Sequence, residues 1–301
     1  MRAAMVTALG GPEVLTLVER PDPVPAKGEV IVRVRAACVH PADIAARVGQ
    51  IPGGPVPPPF MPGWDIAGEI VATGAEVTEF AAGEQVAGMI PWYLTRGSIG
   101  AYAELVAADP DWLVPIPPGL DPIAAATVPL NGLTARRALD MMALTEPTDV
   151  LVTGASGGVG GFAAQLATQQ GHSVYASATH DDEDWVRGLG VHTVVPRSAQ
   201  LPTATVVLDA VPLGEPAGAA ARPGGVLLST RPTPPVDPAK RVRQEVVLVQ
   251  LDRPALRQLL ESVAKDQLRT RVAATFPLAE AAEAHRRFEA GAVRGKIVLV
   301  P

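Results

Sequence analysis

The segment 149–171 constrains the fold most tightly. Asp149-Val150-Leu151-Val152-Thr153 is an apolar run of strand length, and beyond the glycines that follow it Val159, Phe162, Ala163 and Leu166 recur at helical spacing. Between them lies the turn Gly154, Ala155, Ser156, Gly157, Gly158, Val159 and Gly160. A strand that enters a helix through such a turn leaves bare backbone N–H groups at the helix N-terminus. A pyrophosphate can lie there only where no side chain holds it away. The glycines at 154, 157 and 160 make the turn one residue longer than the common G-x-G-x-x-G form. Its place between a buried strand and an amphipathic helix still points to a dinucleotide held by residues 154–159.

The surrounding chain agrees with that placement. Residues 124–142 read as helix, and short apolar strands are expected near Val174, near Val194 and at 206–211, 226–229 and 246–249. Strands alternating with helices form a parallel sheet covered on both faces, a doubly wound Rossmann α/β domain. The first hundred residues have a different texture. Glu29-Val30-Ile31-Val32-Arg33-Val34-Arg35 alternates polar and apolar, as do 65–71 and 102–106, while 50–63 is a Pro/Gly-dense loop. The end of the chain returns to a strand at 271–276, a helix at 278–290 and a last strand at 296–300. The expected organisation is a dinucleotide-binding domain, 120–266, inserted into a smaller, mostly β substrate domain made of 1–119 and 267–301.

Composition narrows the partners. A formal charge of −6 disfavours nucleic acid and membrane surfaces, which are held by clustered Lys and Arg, so the partner is expected to be a small molecule. The small basic cluster Lys240-Arg241-Val242-Arg243 reads as a solvated edge. No apolar run approaches the ~20 residues that span a bilayer and no basic-then-apolar leader opens the chain, so a cytoplasmic location is expected. Cys38 stands alone, which leaves no disulfide framework or cysteine-rich zinc site and reads as a small core residue. His172, His180, His192 and His285 show no metal-ligand spacing and are expected in loops or at the surface.

Several further motifs follow one another from end to end: Gly10-Gly11-Pro12-Glu13-Val14-Leu15, Gly28-Glu29-Val30, Pro62-Gly63-Trp64-Asp65-Ile66-Ala67-Gly68, Val128-Pro129-Leu130-Asn131-Gly132-Leu133-Thr134-Ala135, and Arg294-Gly295-Lys296-Ile297-Val298-Leu299. With the glycine turn, they make the chain resemble the medium-chain dehydrogenase/reductase superfamily and, within it, the zinc-free quinone oxidoreductases. The resemblance implies a GroES-like substrate domain, hydride transfer from a nicotinamide, and a homodimer paired through the sheet edge at 241–251. In the zinc alcohol dehydrogenases of the superfamily a Cys stands where this chain has His40, and a His where it has Trp64. Three protein ligands are needed for a catalytic zinc, so no zinc is expected.

The resemblance also distributes roles. The second strand of the cofactor domain ends at Ser177-Ala178-Thr179 without the acid that binds the ribose of NADH, which favours NADPH, although Asp181-Asp182-Glu183-Asp184 follow in place of a basic residue. Those acids are read as an exposed helix N-terminal turn. Asn131 and Thr134 match positions beside the cofactor, or cap a helix. A zinc-free reductase needs hydrogen-bond donors at the developing oxyanion. His40 stands where quinone oxidoreductases commonly have Asn, and serves as that donor, as a general acid, or as packing at a strand end. Asp43 is a second catalytic candidate or a cap on a helix at 44–48. Trp64 flanks the nicotinamide or fills the place of the metal, and Trp92 and Tyr93 suit a flat, conjugated substrate or are ordinary packing. The functions this leaves are an NADPH-dependent reductase of quinones or α,β-unsaturated carbonyls, a biosynthetic tailoring reductase or dehydrogenase for a bulky aromatic or enone intermediate, and a non-catalytic NADPH-binding sensor.

Overall fold

The computed structural model describes residues 1–291 and 293–301. In chain order the strands are β1 (Arg2–Val6), β2 (Leu15–Glu19), β3 (Val30–Cys38), β4 (Asp65–Thr73), β5 (Gln85–Met89), β6 (Leu105–Ala108), β7 (Leu113–Pro115), β8 (Asp149–Thr153), β9 (Ser173–Ala178), β10 (Thr193–Pro196), β11 (Ala204–Asp209), β12 (Ala221–Ser229), β13 (Arg243–Val246), β14 (Val272–Pro277) and β15 (Lys296–Val300). Two compact units emerge: 1–130 with 251–264 and 271–301, and 131–250 with 265–270. The helix Arg253–Ala264, which the sequence reading placed in the dinucleotide-binding segment, belongs to the first unit. There Arg253 donates to the Leu113 carbonyl at 3.0 Å and pairs with Glu79 and Asp111 at 2.7 and 3.1 Å.

In the first unit β3 is the hub. It pairs antiparallel with β4, β6 and β15, and the path β14-β15-β3-β4-β5-β7 forms one sheet beside the β1-β2 hairpin. Alternation does the sorting. Val30, Val32 and Val34 are buried, while Arg33 and Arg35 point out and meet Glu69 of β4 at 3.8 and 3.2 Å. Gly68 lets β4 press on β3, since a Cβ there would lie 2.1 Å from the Arg33 carbonyl oxygen. β3 ends at Cys38 and runs into the helix Pro41–Arg47, which starts three residues before the expected 44–48 because Pro41 is preorganised for the first helical turn. Val39 N–H donates to the Ile297 carbonyl, so β15 lies alongside this corner.

The second unit is a six-stranded parallel sheet in the order β10-β9-β8-β11-β12-β13, the 3-2-1-4-5-6 sequence of a Rossmann sheet. Its central strands are dry: Val150, Leu151, Val152, Val206, Val207 and Leu208 are fully buried, as strands covered on both faces must be. The expected helix at 124–142 divides into Pro122–Ala125 and Pro129–Met142, because Pro129 supplies no N–H and opens the second helix. The last strand lies at 243–246, three residues before the expected 246–249. Its register against β12 runs from Arg243 opposite Val226 to Val246 opposite Ser229, after which Val247 N–H makes a single further bond to Ser229.

Candidate active site

The glycine turn follows β8 and opens the helix Gly158–Gln169. Its glycines differ in purpose. Gly154 has φ +64° and faces Val211, where a Cβ would lie 2.1 Å from a methyl group; at Gly160 a Cβ would meet the Gly154 carbonyl oxygen at 2.3 Å. These two are fixed by turn conformation and packing. Gly157 is exposed, and a Cβ there would meet only the Gly154 carbonyl oxygen, at 3.2 Å. Packing alone does not explain why that position is bare. Asn131 closes one side of the turn, its amide standing where a Gly158 Cβ would be, 2.4 Å away. Thr134 follows one helical turn later and is buried, as is Ala155, whose N–H donates to the Ser177 carbonyl. Ser156 and Val159 are half-buried.

Ser177 and Ala178 are buried at the end of β9, and Thr179 is half-buried. Of the acids that follow, Asp181 and Asp184 are exposed, and Glu183 and Asp184 stand in the first turn of the helix Glu183–Arg187 as expected, while Asp182 departs from that reading. Asp182 is buried and accepts a hydrogen bond from the Thr179 hydroxyl at 3.1 Å, Glu183 lies 3.6 Å from His180, and Asp184 pairs with Arg187 at 2.5 Å. An open depression of about 630 Å³ at the C-terminal ends of β9 and β10 is lined by Thr179, His180, Glu183, Pro196, Arg197 and Ser198. Arg197 and Ser198, which the sequence reading passed over, stand there as exposed donors.

In the first unit His40 is fully buried. Its Nε2 lies 2.8 Å from Asp65 Oδ2, within hydrogen-bond distance, and Lys296 Nζ approaches Nδ1 at 3.4 Å. Burial, and then the nearby Lys296 charge, hold the imidazole well below its ordinary pKa, so it is neutral. Both ring nitrogens are thus engaged, and the ring touches nothing outside the protein. Asp43 accepts from His40 N–H and Gly63 N–H, each at 2.8 Å, and from the Tyr102 hydroxyl at 3.3 Å. Burial pushes its pKa up to about 6 against those donors. Its bond to His40 N–H is the acidic half of a capping box on the helix Pro41–Arg47. His285, expected at the surface, is fully buried on the helix Ala281–Glu289 and bonded to the Tyr102 hydroxyl at 3.0 Å. Its helix turns that face inward, and burial, then the Arg47 charge, lower its pKa to about 3.

The aromatic candidates cluster. Trp64 stacks at a tilt on Trp92 and on Tyr93, with ring centroids 6.0 and 5.9 Å away. Trp92 is core: it is buried against Phe60 and donates its indole N–H to the Met61 carbonyl at 2.8 Å. Tyr93 is 43% exposed on the short helix Trp92–Thr95, and among the described residues the enclosed Trp64 indole N–H has no acceptor.

Residues 26–118 match the alcohol dehydrogenase GroES-like domain, and 180–299 match the zinc-binding dehydrogenase domain. The quinone-oxidoreductase QR1 of Triphysaria versicolor is 30% identical over all of this chain and 98% of its own length. The chain therefore belongs to the medium-chain dehydrogenase/reductase superfamily and is quinone oxidoreductase-like. The structure of the quinone oxidoreductase from Coxiella burnetii superposes with a TM-score of 0.89 at 30% identity, over 100% of this chain and 99% of that one. A mycobacterial protein solved in complex with NADPH gives 0.84 at 26% identity, over 100% of both chains. The spinach chloroplastic quinone-oxidoreductase homolog is 34% identical over 193 residues, 62% of this chain but only 57% of the relative's length.

One of the matching domains carries zinc in its name, so the donor set bears on how far this quinone oxidoreductase-like chain follows it. Among the described residues, the His, Cys and carboxylate groups that converge are Cys38, His40 and Asp65, whose ligand atoms lie within 4.8 Å of one another. They do not fit a catalytic zinc. All three are fully buried, so no coordination position opens to a substrate, and the Lys296 side chain already points at His40. Asp65 also accepts Leu130 N–H at 2.9 Å. Asp65 and Lys296 lay within quoted motifs, yet nothing in their spacing joined them to His40. Strands β4, β3 and β15 bring them together.

Proposed function

We propose that the protein is a zinc-independent, NADPH-dependent reductase of quinones or α,β-unsaturated carbonyl compounds. The observation that carries the cofactor choice is the end of β9. Asp182 is turned back onto Thr179, Glu183 at the rim of the depression lies 3.6 Å from His180, and Arg197 and Ser198 border the depression beside them. A 2′-phosphate there meets a guanidinium and a hydroxyl. Gly157 N–H and its neighbours hold the pyrophosphate, and Asn131 and Thr134 flank it. When bound, NADPH supplies the hydride.

On the substrate side, Trp64 and Tyr93 form the platform for a flat acceptor. The Trp64 indole N–H is closed off from solvent, so the platform acts through its ring faces. His40 and Asp43 hold the corner at Cys38–Pro41 in place, and the proton that completes reduction comes from water. The aromatic platform equally suits the second reading, a tailoring reductase for a bulky aromatic or enone intermediate. Among the described residues no helix is long and apolar enough to cross a membrane. We further propose that the enzyme is cytoplasmic and pairs as a homodimer.

The test follows absorbance of NADPH and NADH with a panel of quinones, enones and aldehydes. Turnover of quinones or enones with NADPH preferred is the expected result. Turnover only with bulky aromatic enones favours the tailoring reading. Tight NADPH binding without turnover on any acceptor identifies a sensor. Preference for NADH overturns the cofactor assignment, and Arg197→Glu is expected to weaken NADPH at least tenfold while sparing NADH.

A further inference from the structure

We propose that the Lys296 ammonium is the resident cation beside the Cys38–His40–Asp65 cluster, standing on the Nδ1 side of His40 where it bars a divalent transition metal. The proposal rests on the zinc-independent reading above and gives it a structural cause.

A thiol, an imidazole and a carboxylate converging in a dry interior make an N, O, S donor set that suits zinc or cobalt. Left without a cation, such a set is costly, because a buried carboxylate must find positive charge or strong donors. Here the cation comes from the chain itself. Lys296 opens β15, it is only 7% exposed, and β15 is held beside the end of β3 by the pairing of Val298 with Cys38 and by the Val39–Ile297 hydrogen bond. That pairing carries the lysine side chain to the cluster. Its Nζ reaches His40 Nδ1 at 3.4 Å, and its charge favours the ionised Cys38 thiol and Asp65 carboxyl against the burial that raises the pKa of both. An ammonium facing Nδ1 requires a lone pair there, which puts the ring proton on Nε2, 2.8 Å from Asp65 Oδ2. A metal ion at that nitrogen would share the space with a positive charge. The cluster stays metal-free because its cation is covalently attached.

Wild-type protein and Lys296→Ala are each titrated with cobalt(II) alone, and the near-ultraviolet thiolate-to-cobalt band is read, with circular dichroism and thermal unfolding to verify folding. The wild type is expected to show no band. Lys296→Ala, with a void that admits a metal and a water, is expected to bind one cobalt at least a hundredfold more tightly, releasing the Cys38 proton. Adding Cys38→Ser to that variant should abolish the band. A folded Lys296→Ala protein that takes no cobalt overturns the lysine assignment and leaves the metal-free reading standing. A Cys38-dependent band in the wild type overturns both. Should Lys296→Ala fail to fold, long-range ¹H–¹⁵N correlation of the wild-type histidines decides. His40 is expected as the Nε2–H tautomer, and a proton on Nδ1 overturns the proposal because the ammonium cannot then donate there.

Discussion

At the scale of single residues, the site divides into groups that are satisfied and groups left without a partner. Trp64 belongs to the second kind. Among the described residues its N–H is enclosed without an acceptor, and a buried donor left unpaired costs ~1–3 kcal/mol. Trp64→Phe keeps most of the ring and removes the N–H, so urea unfolding should show stability held or slightly raised. Turnover and NADPH affinity should also be little changed, since an N–H closed off from solvent cannot reach a substrate oxygen. A fall in turnover of about 10²-fold at unchanged NADPH affinity would show instead that the N–H is a donor used in the transition state. His285 is of the first kind, bonded to Tyr102 but refusing charge, its pKa lowered to about 3 by burial and then Arg47. Between about pH 6.5 and 3 the unfolded chain takes up a proton at this position that the folded chain does not, so its contribution is lost as pH falls. Asp43, raised to about 6 by burial, acts with the opposite sign between about pH 4 and 6. That contribution is shared by wild type and His285→Gln and cancels between them. The variant should therefore lose less stability from pH 6.5 to 5 than the wild type, by up to ~1.4 kcal/mol per pH unit. Equal slopes in urea titrations would show that His285 charges freely in the folded protein.

At the scale of elements, what matters is how each strand end or helix start is closed. The helix Gly158–Gln169 has no side-chain cap at Gly157, and Asn131 flanks it at Gly158. A side chain at 157 meets one carbonyl oxygen of the protein and otherwise projects over the helix N-terminus. Gly157→Val is therefore expected to fold while weakening NADPH at least tenfold, ~1.4 kcal/mol, by fluorescence titration. Unaltered affinity would move the pyrophosphate elsewhere. By contrast, Gly160→Val should damage the fold itself, since the Gly154 carbonyl oxygen stands 2.3 Å from the added carbon. The glycine turn was legible because strand, turn and helix are local patterns. The division of labour among its glycines was not, because it depends on Val211 and Asn131, distant in sequence.

At the scale of the whole molecule, β13 is the edge of the six-stranded sheet, and an exposed edge is a template for pairing. The segment beyond it is less apolar at the surface than its sequence suggests. Val247 is buried, and Leu248 is the residue left 66% exposed. A homodimer formed through this edge should give twice the chain mass by light scattering at micromolar concentration, and Leu248→Lys should shift it towards monomer. A monomeric wild type would count against pairing here.

Periodicity, turn chemistry and motif order in the sequence were enough to determine the Rossmann sheet, the β-rich unit and the glycine turn between strand and helix, because each arises from interactions within a few residues or from one repeating pattern. Tertiary structure alone decided the rest. It enclosed His40 and paired it with Asp65, turned Asp182 away from solvent, buried His285 beneath Tyr102, and carried Lys296 to the Cys38–His40–Asp65 cluster. Which groups share a dry interior is set by strand pairing between segments as distant as β3 and β15. In that interior the nearest charge and the loss of water, more than residue identity, fix what a histidine or a carboxylate can do.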